Sequence, residues 1–298
     1  MCGIVGLFLK DHELRPQLGD LISKMLVTMT DRGPDSAGIA IYGDEVQSIE
    51  KLTVQSADPG SDFLSLSDDL EGLIDAKVAI EDKDTHAVVR VPSNKSEAAK
   101  EALGQIRRNL RVMSSGQRIE IYKEVGLPQD FISRFDISSM SGSHGVGHTR
   151  MATESAVTTL GAHPFSTGTD QCLVHNGSLS NHNSLRRKLI RQGMAIETEN
   201  DSEVAAAYLT HQMQSGKTLG DALTSALADL DGFYTFLVGT KNGFGVLRDP
   251  IACKPAVMAE TNQYVAFGSE YRALVGLPDI DNAVVWEPEP ATVYFWEH

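Results

Sequence analysis

The chain has 298 residues, with 26 Lys and Arg against 40 Asp and Glu for a formal net charge of −14 at pH 7. That length suits one large or two modest domains that bury a core unaided, and the acidic balance argues against nucleic-acid or anionic-membrane partners. Three cysteines, Cys2, Cys172 and Cys253, show no CxxC spacing. They argue against a disulfide framework or a zinc knuckle and fit a reducing, cytoplasmic setting, and no leader or span-length apolar run is apparent.

In chain order, Cys2 directly follows the initiator methionine. Trimming of Met1 leaves a residue carrying both a thiol and a free α-amine, whose ordinary pKa of about 7.7–8.0 suits it to take the thiol proton. Standing alone, such a cysteine reads equally well as a small buried hydrophobe. Gly3 to Phe8 reads as a short apolar strand, and Gln17 to about Thr28 as an amphipathic helix packed on a sheet. Asp31 to Gly38 crowds turn formers before the strand Ile39 to Tyr42; a turn explains its Gly and Pro but not Arg32 or Ser36.

From Gly43 to about Ser141 the texture changes. An acidic helix near Asp62 to Asp75, a strand at Ala87 to Val91, a charged helix from Lys95 to Leu110 and a strand at Ile119 to Tyr122 form a β-α-β run without catalytic spacing. Residues 44–141 are therefore expected to be an inserted subdomain that contacts a partner.

Gly145 to Thr153 resumes as a strand running into a loop, with Arg150 offering a planar fork for a carboxylate. His144 and His148 on that strand read as structural residues. Ala162-His163-Pro164-Phe165 follows, then a strand from Gln171 to His175 ending in Asn176-Gly177. Asn-Gly is a turn signal, and its amide and N–H are also the donors an oxyanion hole needs. A helix spans Asn181 to Gln192, and Asn200-Asp201-Ser202-Glu203 opens a helix over Val204 to Met213. Asp201 reads either as a helix cap or as the anion for a substrate ammonium. The tail carries strands at Phe233 to Thr240, Gly245 to Arg248, Ala256 to Glu260, Tyr264 to Gly268 and Thr292 to Trp296. Strands from both ends of the chain favour two stacked mixed sheets flanked by helices, an α+β sandwich.

The set Cys2-Gly3-Ile4-Val5-Gly6, Arg32 to Gly38, Gly147-His148-Thr149-Arg150, His175-Asn176-Gly177, Asn200 to Glu203 and Leu247-Arg248-Asp249-Pro250 resembles the class II glutamine amidotransferases. These are N-terminal-nucleophile hydrolases that release ammonia from glutamine. The resemblance covers about two-thirds of the chain and implies a four-layer α/β/β/α sandwich over residues 2–298 carrying the small insertion. It implies Cys2 as nucleophile, the Asn176 side chain and Gly177 N–H as oxyanion hole, Arg150 on the substrate carboxylate and Asp201 on its ammonium. Arg32, Thr153 and His163 would join the substrate site, and no metal is required. Met151, Ala252 and Lys254 depart from the family's usual aromatic residue, glycine and arginine.

The chain is too short to hold an ammonia-consuming synthase as well. It looks most like stand-alone amidotransferase proteins related to glutamate synthase, such as the amidotransferase-like component of N-methylglutamate synthase. That likeness implies a flavin-binding, glutamate-synthase-like partner, with FMN and an iron–sulfur cluster on partner subunits and no cofactor in this chain. Two alternatives stand beside glutamine cleavage: binding of L-glutamate during methylamine transfer, and a non-catalytic glutamine or glutamate sensor.

Overall fold

Alternation along Gly3–Leu9 sets the architecture. Ile4 and Phe8 point to one side of the strand and Val5, Leu7 and Leu9 to the other, and all five are buried. A strand buried on both faces must lie between layers. The structure, a computed structural model, describes residues 2–152 and 157–298.

Gly3–Leu9 is the fourth of seven strands in the first sheet. The order is Val284–Trp286, Val257–Glu260, Tyr264–Gly268, Gly3–Leu9, His144–Arg150, Ser36–Tyr42 and Ile119–Val125. The second sheet has five, in the order Val293–Glu297, Gly243–Arg248, Gly232–Thr240, Gln171–Leu179 and Phe165–Gly168. Neighbouring strands in both sheets pair antiparallel, so the expected mixed sheets are corrected to antiparallel ones. Three of these pairs are hairpins, Phe165–Gly168 with Gln171–Leu179, Gly232–Thr240 with Gly243–Arg248, and Val257–Glu260 with Tyr264–Gly268, and the others join strands distant in sequence.

Three apolar layers hold the stack together. Helix Leu18–Thr28 lays Leu18, Leu21, Ile22, Met25 and Leu26 on the outer face of the seven-stranded sheet. Ile4, Phe8, Val146, Val174, Leu237 and Val246 fill the space between the sheets. Helices His182–Arg191, Asp201–Gln214 and Leu219–Asp229 cover the five-stranded sheet through Leu185, Leu189, Val204, Leu209 and Leu223. Each fully buried aliphatic side chain contributes roughly 1.5–3 kcal/mol. Gly6 lets the two sheets meet closely, since a Cβ there would stand 2.4 Å from Leu237 Cδ2. The result is the four-layer α/β/β/α sandwich that the sequence resemblance implied.

The inserted region differs from the expected β-α-β run. It holds a four-stranded antiparallel sheet, in the order Ala79–Lys83, His86–Pro92, Ile49–Gln55 and Arg111–Gly116, with helices Leu66–Ile74 and Ser96–Ile106 packed on it. The expected strand at Ile119 to Tyr122 does not belong to this unit; as Ile119–Val125 it pairs with Ser36–Tyr42 at the edge of the main sheet. Asp170 anchors the junction, its carboxylate accepting the backbone N–H of Gln117, Arg118 and Ile119 at 2.8, 2.9 and 3.0 Å. The Lys51–Glu120 ion pair at 2.8 Å adds a second tie. Among the described residues no helix is long and apolar enough to cross a membrane.

Candidate active site

The amino end of Gly3–Leu9 delivers Cys2 to a cleft of about 600 Å³ lined by Cys2, Arg150, His163, His175, Gly177 and Asp201, among others. The half-buried Cys2 thiol faces the Met151 carbonyl at 3.8 Å. The neighbouring strand His144–Arg150 pairs Gly3 with Thr149, so the buried Arg150 emerges beside Cys2. The turn at residues 31–35 fixes that exit: Asp35 N donates to the Arg150 carbonyl at 3.1 Å, and Ala152 N donates to the Asp35 carboxylate at 2.8 Å.

Asn176 and Gly177 are not a strand-ending turn. The strand runs through to Leu179, and its pairing with Gly232–Thr240 sets Asn176 opposite Thr235 and Gly177 opposite Tyr234. Gly177 has φ +149°, a backbone that side chains disfavour, and a Cβ there would lie 2.0 Å from the Phe233 carbonyl oxygen. The Asn176 amide nitrogen, Nδ2, donates to the Cys2 carbonyl at 3.2 Å and to Ser269 Oγ at 3.3 Å. Its Oδ1 faces His148 Nε2 at 3.1 Å.

Asp201 begins the helix Asp201–Gln214, but Asn200 is the cap, accepting Ser202 N at 2.9 Å. The Asp201 carboxylate instead accepts Leu179 N at 2.8 Å and stands 4.0 Å from His175 Nδ1. His175 Nδ1 also lies 2.9 Å from Ser202 Oγ. Burial pushes His175 down to about 4, opposed by the Asp201 charge. His163 is held well below its ordinary value, chiefly by burial, and neither ring nitrogen has a partner among the described residues. The His163 ring packs against His148, their centres 4.1 Å apart and their planes tilted by 32°.

Expected on the substrate, Arg32 instead lies outside the cleft lining, donates from Nε to the Cys2 carbonyl at 2.9 Å and pairs with Glu270. The Arg32 hydrogen bond holds the Glu270 carboxyl below its usual range. Thr153 lies outside the described residues. The sequence reading also passed over His148, Ser269 and Glu270. His148 looked structural beside His144, and no local motif marks Ser269 or Glu270. Only the pairing of Tyr264–Gly268 with Gly3–Leu9 brings those two next to Cys2. Among the described residues no group of three or more His, Cys, Asp or Glu is placed to hold a metal ion.

A glutamine amidotransferase domain model matches residues 148–276. The chain is 69% identical over 299 residues to the glutamine amidotransferase-like protein GlxB of Rhizobium meliloti, covering 100% of this chain and 99% of that one. It is 32% identical to a putative glutamine amidotransferase of Methanothermobacter thermautotrophicus, covering 99% of each. Its fold matches that of the glutamine phosphoribosylpyrophosphate amidotransferase from B. subtilis, with a TM-score of 0.63 at 20% identity, over 99% of this chain and 47% of that chain. The chain thus spans about half the length of that solved protein. Fold and sequence together define a protein of the N-terminal-nucleophile type. The chain belongs to the class II glutamine amidotransferases.

Proposed function

We propose that this protein hydrolyses glutamine through Cys2 and delivers the ammonia to a separate synthase subunit. The observation that carries the reading is the convergence, in one cleft, of a near-terminal thiol, a buried arginine, a carboxylate and the glycine of a paired Asn-Gly. With Met1 removed, the Cys2 α-amine takes the thiol proton as Sγ attacks the side-chain amide carbon of glutamine. The amide oxygen becomes an oxyanion received by the Gly177 N–H and the Asn176 amide. The Ser269 contact, at 3.3 Å the longer of the two Nδ2 hydrogen bonds, is the one an oxyanion displaces. The ammonium then returns its proton to the leaving nitrogen, giving ammonia and a γ-glutamyl thioester. Water cleaves the thioester to glutamate and regenerates the thiol.

Arg150 grips the substrate α-carboxylate and Asp201 its α-ammonium. The Asp201 bond to Leu179 N fixes one carboxylate oxygen; the other, Oδ1, accepts from Ser202 Oγ at a long 3.5 Å and keeps a lone pair for the ligand. His163, whose ring nitrogens have no partner among the described residues, lines the pocket. Arg32 acts one step back by holding the Cys2 backbone. The acceptor on this reading is a flavin-binding, glutamate-synthase-like protein, so FMN and any iron–sulfur cluster reside there.

The test is intact mass of the purified protein before and after a diazo-ketone analogue of glutamine, with the labelled peptide sequenced, alongside glutamate release from L-glutamine. One adduct on a methionine-trimmed Cys2 with glutamate formed supports the reading. A trimmed, folded chain that neither labels nor releases glutamate, alone or with its partners, removes it. Methylamine transfer surviving in Cys2→Ala would point to the glutamate-binding alternative.

A further inference from the structure

His148 has no part in the chemistry just described, yet it touches the group on which that chemistry depends. It lies in the middle of the seven-stranded sheet, opposite Ile4 on one side and Gly38 on the other, and is 1% exposed. Its Nε2 lies 3.1 Å from Asn176 Oδ1. An amide can turn over by exchanging its oxygen and nitrogen, and the hydrogen-bond network alone decides which faces where. Here the alternatives are unequal. Turned over, Asn176 would set its oxygen against the Cys2 carbonyl, where Nδ2 now stands at 3.2 Å.

We propose that His148 is a positioning residue: as the Nε2–H tautomer it donates to Asn176 Oδ1 and holds the amide with its nitrogen toward Cys2. The inference rests on the glutaminase reading for its consequence in rate, but not for its geometry. A proton on Nδ1 instead would oppose two lone pairs at 3.1 Å and favour the wrong amide face. Burial keeps the ring neutral by lowering His148 to about 3, so one nitrogen carries the only ring proton across the working pH range. Before substrate arrives, Ser269 holds the same amide at its nitrogen end, where Oγ accepts from both Asn176 Nδ2 and Ile4 N. The His163 ring, packed against His148 at a tilt of 32°, limits its rotation.

The experiment compares His148→Leu, His148→Gln and Ser269→Ala in the full chain, each with its thermal midpoint measured. Gln places an amide donor where Nε2 stood; Leu places none. Loss of one oxyanion donor costs about 10²–10³ in rate. His148→Leu should therefore lose about a hundredfold in kcat for L-glutamine with KM changed less than threefold. His148→Gln should recover at least tenfold, and Ser269→Ala should lose less than His148→Leu. A folded His148→Leu within threefold of the parent, or a folded His148→Gln as slow as His148→Leu, overturns the proposal.

Nitrogen NMR of the histidine-labelled parent gives a second readout that needs no activity and no variant. A proton on Nε2 of His148 supports the assignment; a proton on Nδ1 overturns it. If the parent cleaves no glutamine, alone or with its partners, the functional reading fails and the tautomer decides this proposal by itself.

Discussion

The Arg32 Nε donates to the Cys2 carbonyl at 2.9 Å while the same guanidinium pairs with Glu270. One buried side chain thus ties the segment carrying the thiol to the turn after the strand Tyr264–Gly268. A lysine can make either contact but not both at fixed angles, because it lacks the planar fork. Arg32→Lys should lower kcat for glutamine hydrolysis about tenfold to a hundredfold, with KM nearly unchanged. Steady-state kinetics decide it; an equal rise in KM would place Arg32 on the substrate after all.

Gly177→Ala should fail in both stability and activity. The φ of +149° disfavours a side chain, and the new Cβ would meet the Phe233 carbonyl. Strain of this kind costs of order 1–3 kcal/mol before the backbone clash is counted. The expected result in urea denaturation is a loss of about 3 kcal/mol or more. A variant of parental stability would mean that the strand shifts freely, and with it the Gly177 N–H.

Asp170→Ala removes the acceptor of three backbone N–H groups at the joint between the inserted sheet and the main body. Buried donors left unpaired cost about 1–3 kcal/mol each, partly recovered where water enters. A loss of about 2–4 kcal/mol is expected by chemical denaturation. Asp170→Asn should lose less, since asparagine keeps one acceptor and tolerates the φ of +51° found there.

Acidification should destabilise the protein early. His86, His144 and His148 are lowered to about 3, His175 to about 4, and His163 well below its ordinary value, burial being the first cause in each case. In the unfolded chain each titrates near about 6.5, so below that pH the unfolded state binds more protons than the native state. Stability is therefore complete above about pH 6.5 and falls as the pH drops toward the folded values. Each histidine contributes a loss of up to about 1.4 kcal/mol per pH unit. Calorimetry should show the thermal midpoint several degrees lower at pH 5.5 than at pH 7; a flat profile would contradict the neutral, buried assignment.

The sequence made the helix Leu18–Thr28 legible because its apolar spacing is regular and its packing face continuous. It hid the strand Ile49–Gln55, where Glu50 and Lys51 are buried yet satisfied by Ser96 and Glu120. Such partners come from distant elements and leave no local pattern. The helix Leu219–Asp229, capped by Thr218 accepting Asp221 N, also went unread. At the site, the cluster of motifs pointed to one cleft. It did not reveal that Asn176-Gly177 lies inside a strand, because the dipeptide looks the same in a turn. Nor could it assign Arg32 to the Cys2 backbone, since that depends on which strands are neighbours.

The place of Gly3–Leu9 at the centre of the seven-stranded sheet has a consequence for biosynthesis. This strand leaves the ribosome well before its two partners, His144–Arg150 and Tyr264–Gly268, so Val5 must wait for Gly268. Sheet partners this far apart in sequence assemble late and slowly. The Cys2 thiol at its head consequently lacks its folded surroundings through most of translation. The Ile4 to Ser269 hydrogen bond spans 265 residues, and Glu270 follows directly, so emergence of that late turn is the event that sets the Cys2 segment in place.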